Sequence, residues 1–198
     1  MQWRLSLRIR IRTFFVPLTA ANTSIRKSDA LDRLHRPVNI RLRDVEPGDL
    51  PLFFAHQRDP IAVEMVAFRS RDRAEFDQHW AKILADEACL TQTIVADGEV
   101  AGNVCSFSME GKREVGYWID RDLWGHGVAT EALTAFLHLE QTRPLYAGVV
   151  KHNAASLRVL QKCGFTLLPE SENADHSHFL LVLIGPDAMD QEEVESGK

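Results

Sequence analysis

The segment Trp124-Gly125-His126-Gly127-Val128-Ala129-Thr130-Glu131 sets two glycines and an alanine directly before a run of helix-forming residues. Small side chains let a ligand approach the backbone closely, and the first N–H groups of a helix have no internal partner, so this spacing suits phosphate oxygens, a diphosphate above all. A tight turn that uses glycine only for its φ/ψ freedom accounts for the same letters. Two nucleotide-binding alternatives fail on residue type. A P-loop closes with Gly-Lys-Ser/Thr, which is absent here. A dinucleotide fingerprint needs a third glycine where Thr130 stands and an opening βαβ unit, whereas antiparallel strands are predicted ahead of this turn. Cys89, Cys105 and Cys163 form no Cys-x-x-Cys pair and lie too far apart for a zinc cluster, so no metal site is expected.

The elements that would position this turn follow from periodicity. Val38 to Arg43 alternates and reads as a strand, followed by a helix-start region from Asp44 to Asp49 and a short helix to about Arg58. Phe76, Trp80, Ile83 and Leu84 share one helical face, which predicts a helix from about Asp72 to Asp86. Thr93 to Ala96, the turn Asp97-Gly98 and Glu99 to Val104 predict a hairpin. A turn at Gly111-Lys112 then leads into a third antiparallel strand, Glu114 to Ile119. After the glycine turn, Thr130 to Leu139 reads as a helix. A crossover through it would set the strand Pro144 to Val150 parallel to the Glu114 strand. A helix from Ala154 to Lys162, stopped by Gly164, precedes strands at Phe165 to Leu167 and Phe179 to Ile184. The expected architecture is α/β with a mixed sheet.

At 198 residues, 45% hydrophobic and 26% charged, the chain has room for one core plus tails. Charged residues or proline interrupt every apolar run before the ~20 residues a membrane span needs, so no membrane partner is expected. The net charge of -5 is unevenly spread. Residues 1–37 carry eight basic and two acidic side chains, residues 38–186 sum to -7, and residues 187–198 to -4. An acidic body argues against nucleic acid as a partner. In the first segment Trp3, Leu5, Leu7, Ile9 and Ile11 alternate with polar residues, a strand-like pattern. That segment reads as a poorly ordered extension, with an overlong reading-frame start or an Arg-rich targeting leader as the other readings. The tail from Asp187 to Lys198 reads as acidic and solvated. Sparse, unpaired cysteines fit a reducing compartment, hence a cytoplasmic location.

Three segments in order and spacing, Val115 to Ile119, Trp124 to Ala132 and Asn153 to Phe165, resemble the GNAT superfamily of acyl-CoA-dependent N-acetyltransferases, most closely its RimJ/RimL-like branch. The resemblance covers about Val38 to Ile184. It implies an α/β, GNAT-like fold: a mixed, mostly antiparallel central sheet with a splayed parallel strand pair and flanking helices, in a domain spanning residues 38–186. The Gly125 to Thr130 backbone would cradle the pyrophosphate of acetyl-CoA. The strand ending at Ile119 would bulge and splay from the Tyr146 strand, and the pantetheine arm would pair with the amides so exposed. The cofactor-binding set implied is Trp118, Ile119, Trp124, Gly125, His126, Gly127, Val128, Ala129, Thr130 and Asn153. Trp124 departs from the Gln or Arg that many members carry, and main-chain phosphate contacts make that substitution tolerable.

Acetyl transfer to an amine requires a proton acceptor, an oxyanion stabiliser and a proton or hydrogen-bond donor for the departing sulfur. Glu114 resembles the carboxylate that often serves as base, and it equally reads as a solvated cross-strand acid; Glu110, His176 and His178 compete with it. Ser156 is the candidate donor to sulfur, with Asn153 fixing the cofactor or a water. The local readings are a first-turn serine and a helix N-cap, compatible with those roles. Arg158 and Lys162 would meet phosphates or lie on a solvated face, and His126 reads as a surface residue. Cys105 would support a covalent intermediate only beside a base, so direct transfer in a ternary complex is favoured. The expected partner is an amine acceptor, a small molecule or a protein N-terminus, bound to a monomer or homodimer. A catalytically weak acyl-CoA-binding or regulatory module would keep the same glycine turn.

Overall fold

In the computed structural model, residues 38–66, 69–169 and 178–185 are described. The alternating segment from Trp3 to Ile11, His176 and the acidic tail lie outside them.

Two tight turns organise the sheet. Asp97-Gly98 and Glu110-Gly111 each place both central residues at positive φ, the backbone of a turn whose twist matches its flanking strands. The second turn thus sits one residue earlier than the expected Gly111-Lys112. These turns fold β2 (Leu90–Ala96), β3 (Glu99–Met109) and β4 (Lys112–Ile119) into an antiparallel meander, and β1 (Ile40–Arg43) pairs antiparallel with β2. Helix α4 (Val128–Leu137) then crosses over, so β5 (Leu145–Val150) runs parallel to β4. β7 (His178–Leu183) pairs antiparallel with β5, and β6 (Thr166–Leu167) covers the far edge. The sheet order is β1-β2-β3-β4-β5-β7-β6, mostly antiparallel with one parallel pair.

The expected bulge in β4 is replaced by one in β3. β4 keeps continuous register with β3 from Lys112 to Ile119, while the β2–β3 register jumps between Ile94 and Val95, leaving Ala101 as the extra residue. The next residue, Gly102, has φ +154°, and a Cβ there would stand 1.9 Å from the Trp118 carbonyl oxygen. Only glycine lets β3 pass that close to the end of β4.

Two helical layers cover the sheet. α4 buries Val128, Ala132, Leu133 and Phe136 against Ile94, Val104, Val115, Leu145 and Leu181, together with Leu160 of α5 (Ala154–Lys162). A smaller cluster joins Phe53 of α1 (Leu50–His56) to Phe76 and Trp80 of α3 (Arg73–Ala85), with ring centroids 5.0 and 6.1 Å apart along the series. The Asp72 carboxylate accepts from Glu75 N and the Glu75 carboxylate accepts from Asp72 N, a reciprocal cap that starts α3. Its apolar stripe is narrower than expected, since Leu84 is 49% exposed. Between them lies α2 (Pro60–Val66), where Asp59 Oδ1 accepts from Ile61 N and Ala62 N, both at 3.0 Å.

Candidate active site

The site begins where β4 and β5 stop pairing. Their register runs through Arg113 opposite Leu145 and Glu114 opposite Tyr146 and goes no further, so among the described residues the β5-facing edge of β4 is unpaired from Val115 onward. The strands therefore splay, and main-chain donors and acceptors are left open toward the gap. A buried network holds the closed end of this fork. Glu140 accepts from Ser106 Oγ (2.5 Å), Arg113 Nε (2.8 Å) and Thr142 N (2.8 Å), and Arg113 also donates to the Ala88 carbonyl. Burial pushes the Glu140 carboxyl up, but the hydrogen bonds from Ser106, Thr142 and Arg113 outweigh it and hold the group at about 2.

The open end is built from the turn after β4. Asp120 Oδ1 accepts from Asp122 N to start a single 3-10 turn, Arg121–Leu123, and Trp124 Nε1 then donates to the Ile119 carbonyl at 3.1 Å. This indole latch ties the turn to the last residue of β4. Gly125 and Gly127 follow at φ +80° and +82°, and Gly127 ends the turn as the N-cap of α4 without any side-chain cap. Among the described residues no side chain caps the N–H groups of Val128, Ala129 and Thr130. A Cβ on Gly125 would meet nothing within 4 Å, and one on Gly127 only the Glu131 carboxylate at 4.0 Å. This open, donor-lined cradle fits a diphosphate.

A cleft of about 390 Å³ joins the cradle to the fork. Ten of the twelve expected site residues line it: Trp118, Ile119, Trp124, Gly125, Gly127, Val128, Ala129, Thr130, Asn153 and Ser156. Arg158 and Lys162 line it as well. His126 is exposed and outside the lining. Glu114 is also outside it. It stands at the vertex of the fork as the last β4 residue paired with β5, partly buried, on the sheet face opposite Tyr117. Burial raises its carboxyl above the ordinary range, with Lys112 opposing and Glu110 adding to the shift. His178 opens β7 opposite Val150. Burial pushes the Cys105 thiol up to about 11, which leaves it protonated near neutrality and a poor nucleophile. Among the described residues no group of three or more His, Cys, Asp or Glu could hold a metal ion, and no helix is long and apolar enough to cross a membrane.

Asn153 is the N-cap of α5, as expected, but two contacts had no expectation attached: its bond to Met65 and the pairing of Tyr117 with Ser156. Asn153 works with both ends of its amide: Oδ1 accepts from Ser156 N at 3.0 Å, and Nδ2 donates to the Met65 carbonyl at 3.1 Å. His152 Nε2 contacts the Glu64 carbonyl at 3.0 Å, so the last turn of α2 is fastened to the start of α5, and Ala62, Met65 and Val66 become part of the cleft wall. The second is Tyr117, whose hydroxyl lies 2.8 Å from Ser156 Oγ inside the cleft. Burial raises its phenol, Ser156 opposes and Cys163 adds, with the result at about 12. Its place in the Val115 to Ile119 segment was visible, but not the helix turn it meets.

The sequence profile of the acetyltransferase (GNAT) domain matches residues 39–166, well over half of the chain. Among solved structures, an acetyltransferase from Agrobacterium tumefaciens superposes with a TM-score of 0.64 at 20% identity, over 76% of this chain and 95% of that one. RimL, a ribosomal L7/L12 α-N-protein acetyltransferase in complex with coenzyme A, gives 0.61 at 20% identity over 73% and 93%. Spermidine N-acetyltransferase from Vibrio cholerae, in complex with CoA and spermine, gives 0.60 at 15% identity over 72% and 92%. No curated protein matches the chain. With a splayed parallel pair leading into a bare helix N-terminus, and a profile match spanning both, the chain belongs to the GNAT acetyltransferases, a family whose reaction is acyl transfer from acetyl-CoA.

Proposed function

We propose that this protein is an N-acetyltransferase of the RimJ/RimL-like kind, moving an acetyl group from acetyl-CoA to a primary amine by direct attack in a ternary complex. One observation carries the reading: the uncapped N-terminus of α4, the unpaired edge of β4 and the Ser156 hydroxyl all open into a single cleft. When bound, acetyl-CoA supplies an activated thioester. Val128, Ala129 and Thr130 N–H groups hold its diphosphate, with Arg158 and Lys162 adding positive charge at the α5 wall. The free edge of β4 up to Ile119 pairs with the pantetheine amides. Ser156 donates a hydrogen bond to the sulfur as it leaves. Glu114, at the fork's vertex with its carboxyl shifted upward by burial, takes the amine proton directly or through water. Residues 38–186 make up the catalytic domain in this reading. The acceptor is a small amine or a protein N-terminus.

Acetyl-CoA turnover against a panel of amines and N-terminal peptides tests it, with Glu114→Gln and Ser156→Ala alongside wild type. Turnover on at least one acceptor, lost by about tenfold or more in each variant, is the expected result. Unchanged turnover in both variants would remove the assigned chemistry. The position of Glu114 outside the cleft lining favours one second reading, a weakly catalytic acyl-CoA-binding module. That reading predicts tight acetyl-CoA binding with no acceptor turned over.

A further inference from the structure

Ser156 is expected to point a proton at sulfur, yet a serine hydroxyl rotates freely unless something fixes it. Its neighbours limit the choice. Its main-chain N–H is taken by Asn153 Oδ1, and its hydroxyl has the Tyr117 hydroxyl at 2.8 Å. Either oxygen of that pair is able to donate, and the two arrangements have opposite consequences. If Ser156 donates to Tyr117, its proton is turned away from the cleft. If Tyr117 donates to Ser156, the serine proton is free to point into it. A phenolic proton is the more acidic of the two and a phenolic oxygen the weaker acceptor, so the second arrangement is preferred.

We infer that Tyr117 is the positioning residue for Ser156: the phenol donates to Ser156 Oγ and so aims the Ser156 proton into the cleft, at the sulfur of a bound thioester or thiolate. This rests on the transferase reading above for its role in turnover, and only on CoA binding for its geometry. In the transfer, the amine nitrogen bonds to the thioester carbonyl carbon. The carbon–sulfur bond breaks with its electron pair on sulfur, and the amine proton passes to Glu114 or water. Tyr117 and Ser156 keep their protons throughout. A phenol at about 12 lies roughly three pH units above an ordinary thiol, so moving its proton onto the thiolate is uphill. The pair therefore stabilises the thiolate by hydrogen bonding, and solvent protonates it after release. Arg158 and Lys162 on the cleft wall also favour the thiolate, and Cys163 is the titratable neighbour of the phenol; all three stay unaltered in the test.

The experiment titrates the thiol of coenzyme A bound to the full chain, by thiolate absorbance against pH, beside steady-state turnover. Tyr117→Phe is expected to raise the bound thiol's pKa by about one unit and to lower kcat about tenfold with the KM for acetyl-CoA within about twofold, the size of one hydrogen bond to a charged group. Ser156→Ala should do at least as much, and the double variant no more than Ser156→Ala, because the phenol acts only through the serine. Ser156→Thr, which keeps the hydroxyl, should restore most of the effect. A bound-thiol pKa in Tyr117→Phe equal to wild type, or effects that add in the double variant, would overturn the inference. Should Tyr117→Phe not fold, fluorotyrosine provides the second arm. The chain has two tyrosines, so a Tyr146→Phe background confines the label to position 117. A more acidic phenol must then lower the bound thiol's pKa, and no change overturns the inference. A thiol pKa that responds as described in a chain that acetylates no amine defeats the transferase reading and leaves the Tyr117 assignment standing. No binding of coenzyme A defeats both.

Discussion

The Asn153 amide joins two helices that are 88 residues apart, donating to the Met65 carbonyl of α2 while it caps α5 through Ser156 N. Capping and wall-building are therefore separable by substitution. Asn153→Asp keeps the acceptor for Ser156 N and loses the donor to Met65, whereas Asn153→Ala loses both. Chemical denaturation should show Asn153→Ala less stable by about 1 kcal/mol, the usual worth of such a cap, with Asn153→Asp close to wild type. Both should weaken acetyl-CoA several-fold in calorimetry, because Ala62, Met65 and Val66 are no longer held against the cleft. Asn153→Asp binding as tightly as wild type would show that the Met65 contact does not shape the site.

Gly127 and Gly111 make a matched pair for testing the cradle. They sit at φ +82° and +79°, and neither would clash if a Cβ were added. Alanine at either place should cost roughly 1–2 kcal/mol of stability from the left-handed backbone alone. Only Gly127→Ala should also weaken coenzyme A, by about tenfold, since its methyl and any relaxation of the turn disturb the amides that meet the diphosphate. Equal loss of affinity in both variants, read by calorimetry, would mean that the effect is stability and not the cradle.

Much of this site was readable in the letters, and what was missed has physical causes. The order and type of strands from Val38 to Ile119, the crossover and the helix from Ala154 to Lys162 follow from periodicity and turn chemistry, which are local. α2 was not expected, although Asp59 before Pro60, an N-cap followed by a residue suited to the first helical turn, marks its start. The bulge at Ala101 was placed one strand away, because the close approach of Gly102 to Trp118 depends on register across strands and not on either segment alone. Met65 and Tyr117 escaped for the same reason: their partners are 88 and 39 residues distant, and pairing at that range leaves no mark in a single sequence.

The Trp124 latch predicts how the turn tolerates change. Trp124 lines the cleft and is 39% exposed, while its N–H holds the Ile119 carbonyl. Trp124→Phe keeps an aromatic surface and removes the donor, at a cost of about 1 kcal/mol and a few-fold in coenzyme A affinity. Trp118 and Trp124 both line the cleft while Trp80 is buried in the cluster of α1 and α3. Coenzyme A should therefore quench tryptophan emission in the wild type, and by less in Trp124→Phe. No quenching in either would place the ligand elsewhere.

The network at the closed end of the fork predicts an acid limb of stability. Glu140 is 4% exposed and its carboxyl is held at about 2 in the folded protein, against about 4.3 in an unfolded chain. Because the folded value is the lower one, the contribution is complete above the unfolded value and disappears as pH falls from about 5 toward 2. Its size at neutral pH is on the order of 3 kcal/mol. Asp49 behaves similarly: burial raises it, but Arg43, Glu46 N and Thr93 more than offset that and leave it lowered, so it titrates in the same direction. Glu140→Gln should accordingly lose about 2–4 kcal/mol at pH 7, as expected when one member of a buried pair is removed. It should also show a shallower decline between pH 5 and pH 2 than wild type, the remaining slope belonging to Asp49 together with Asp59 and Glu75, whose carboxyls are also lowered. Because Arg113 then loses its anchor beside the last β4–β5 contact, coenzyme A affinity should fall with stability. Urea denaturation across that pH range checks the sign, and a wild-type stability that rises on acidification would refute it.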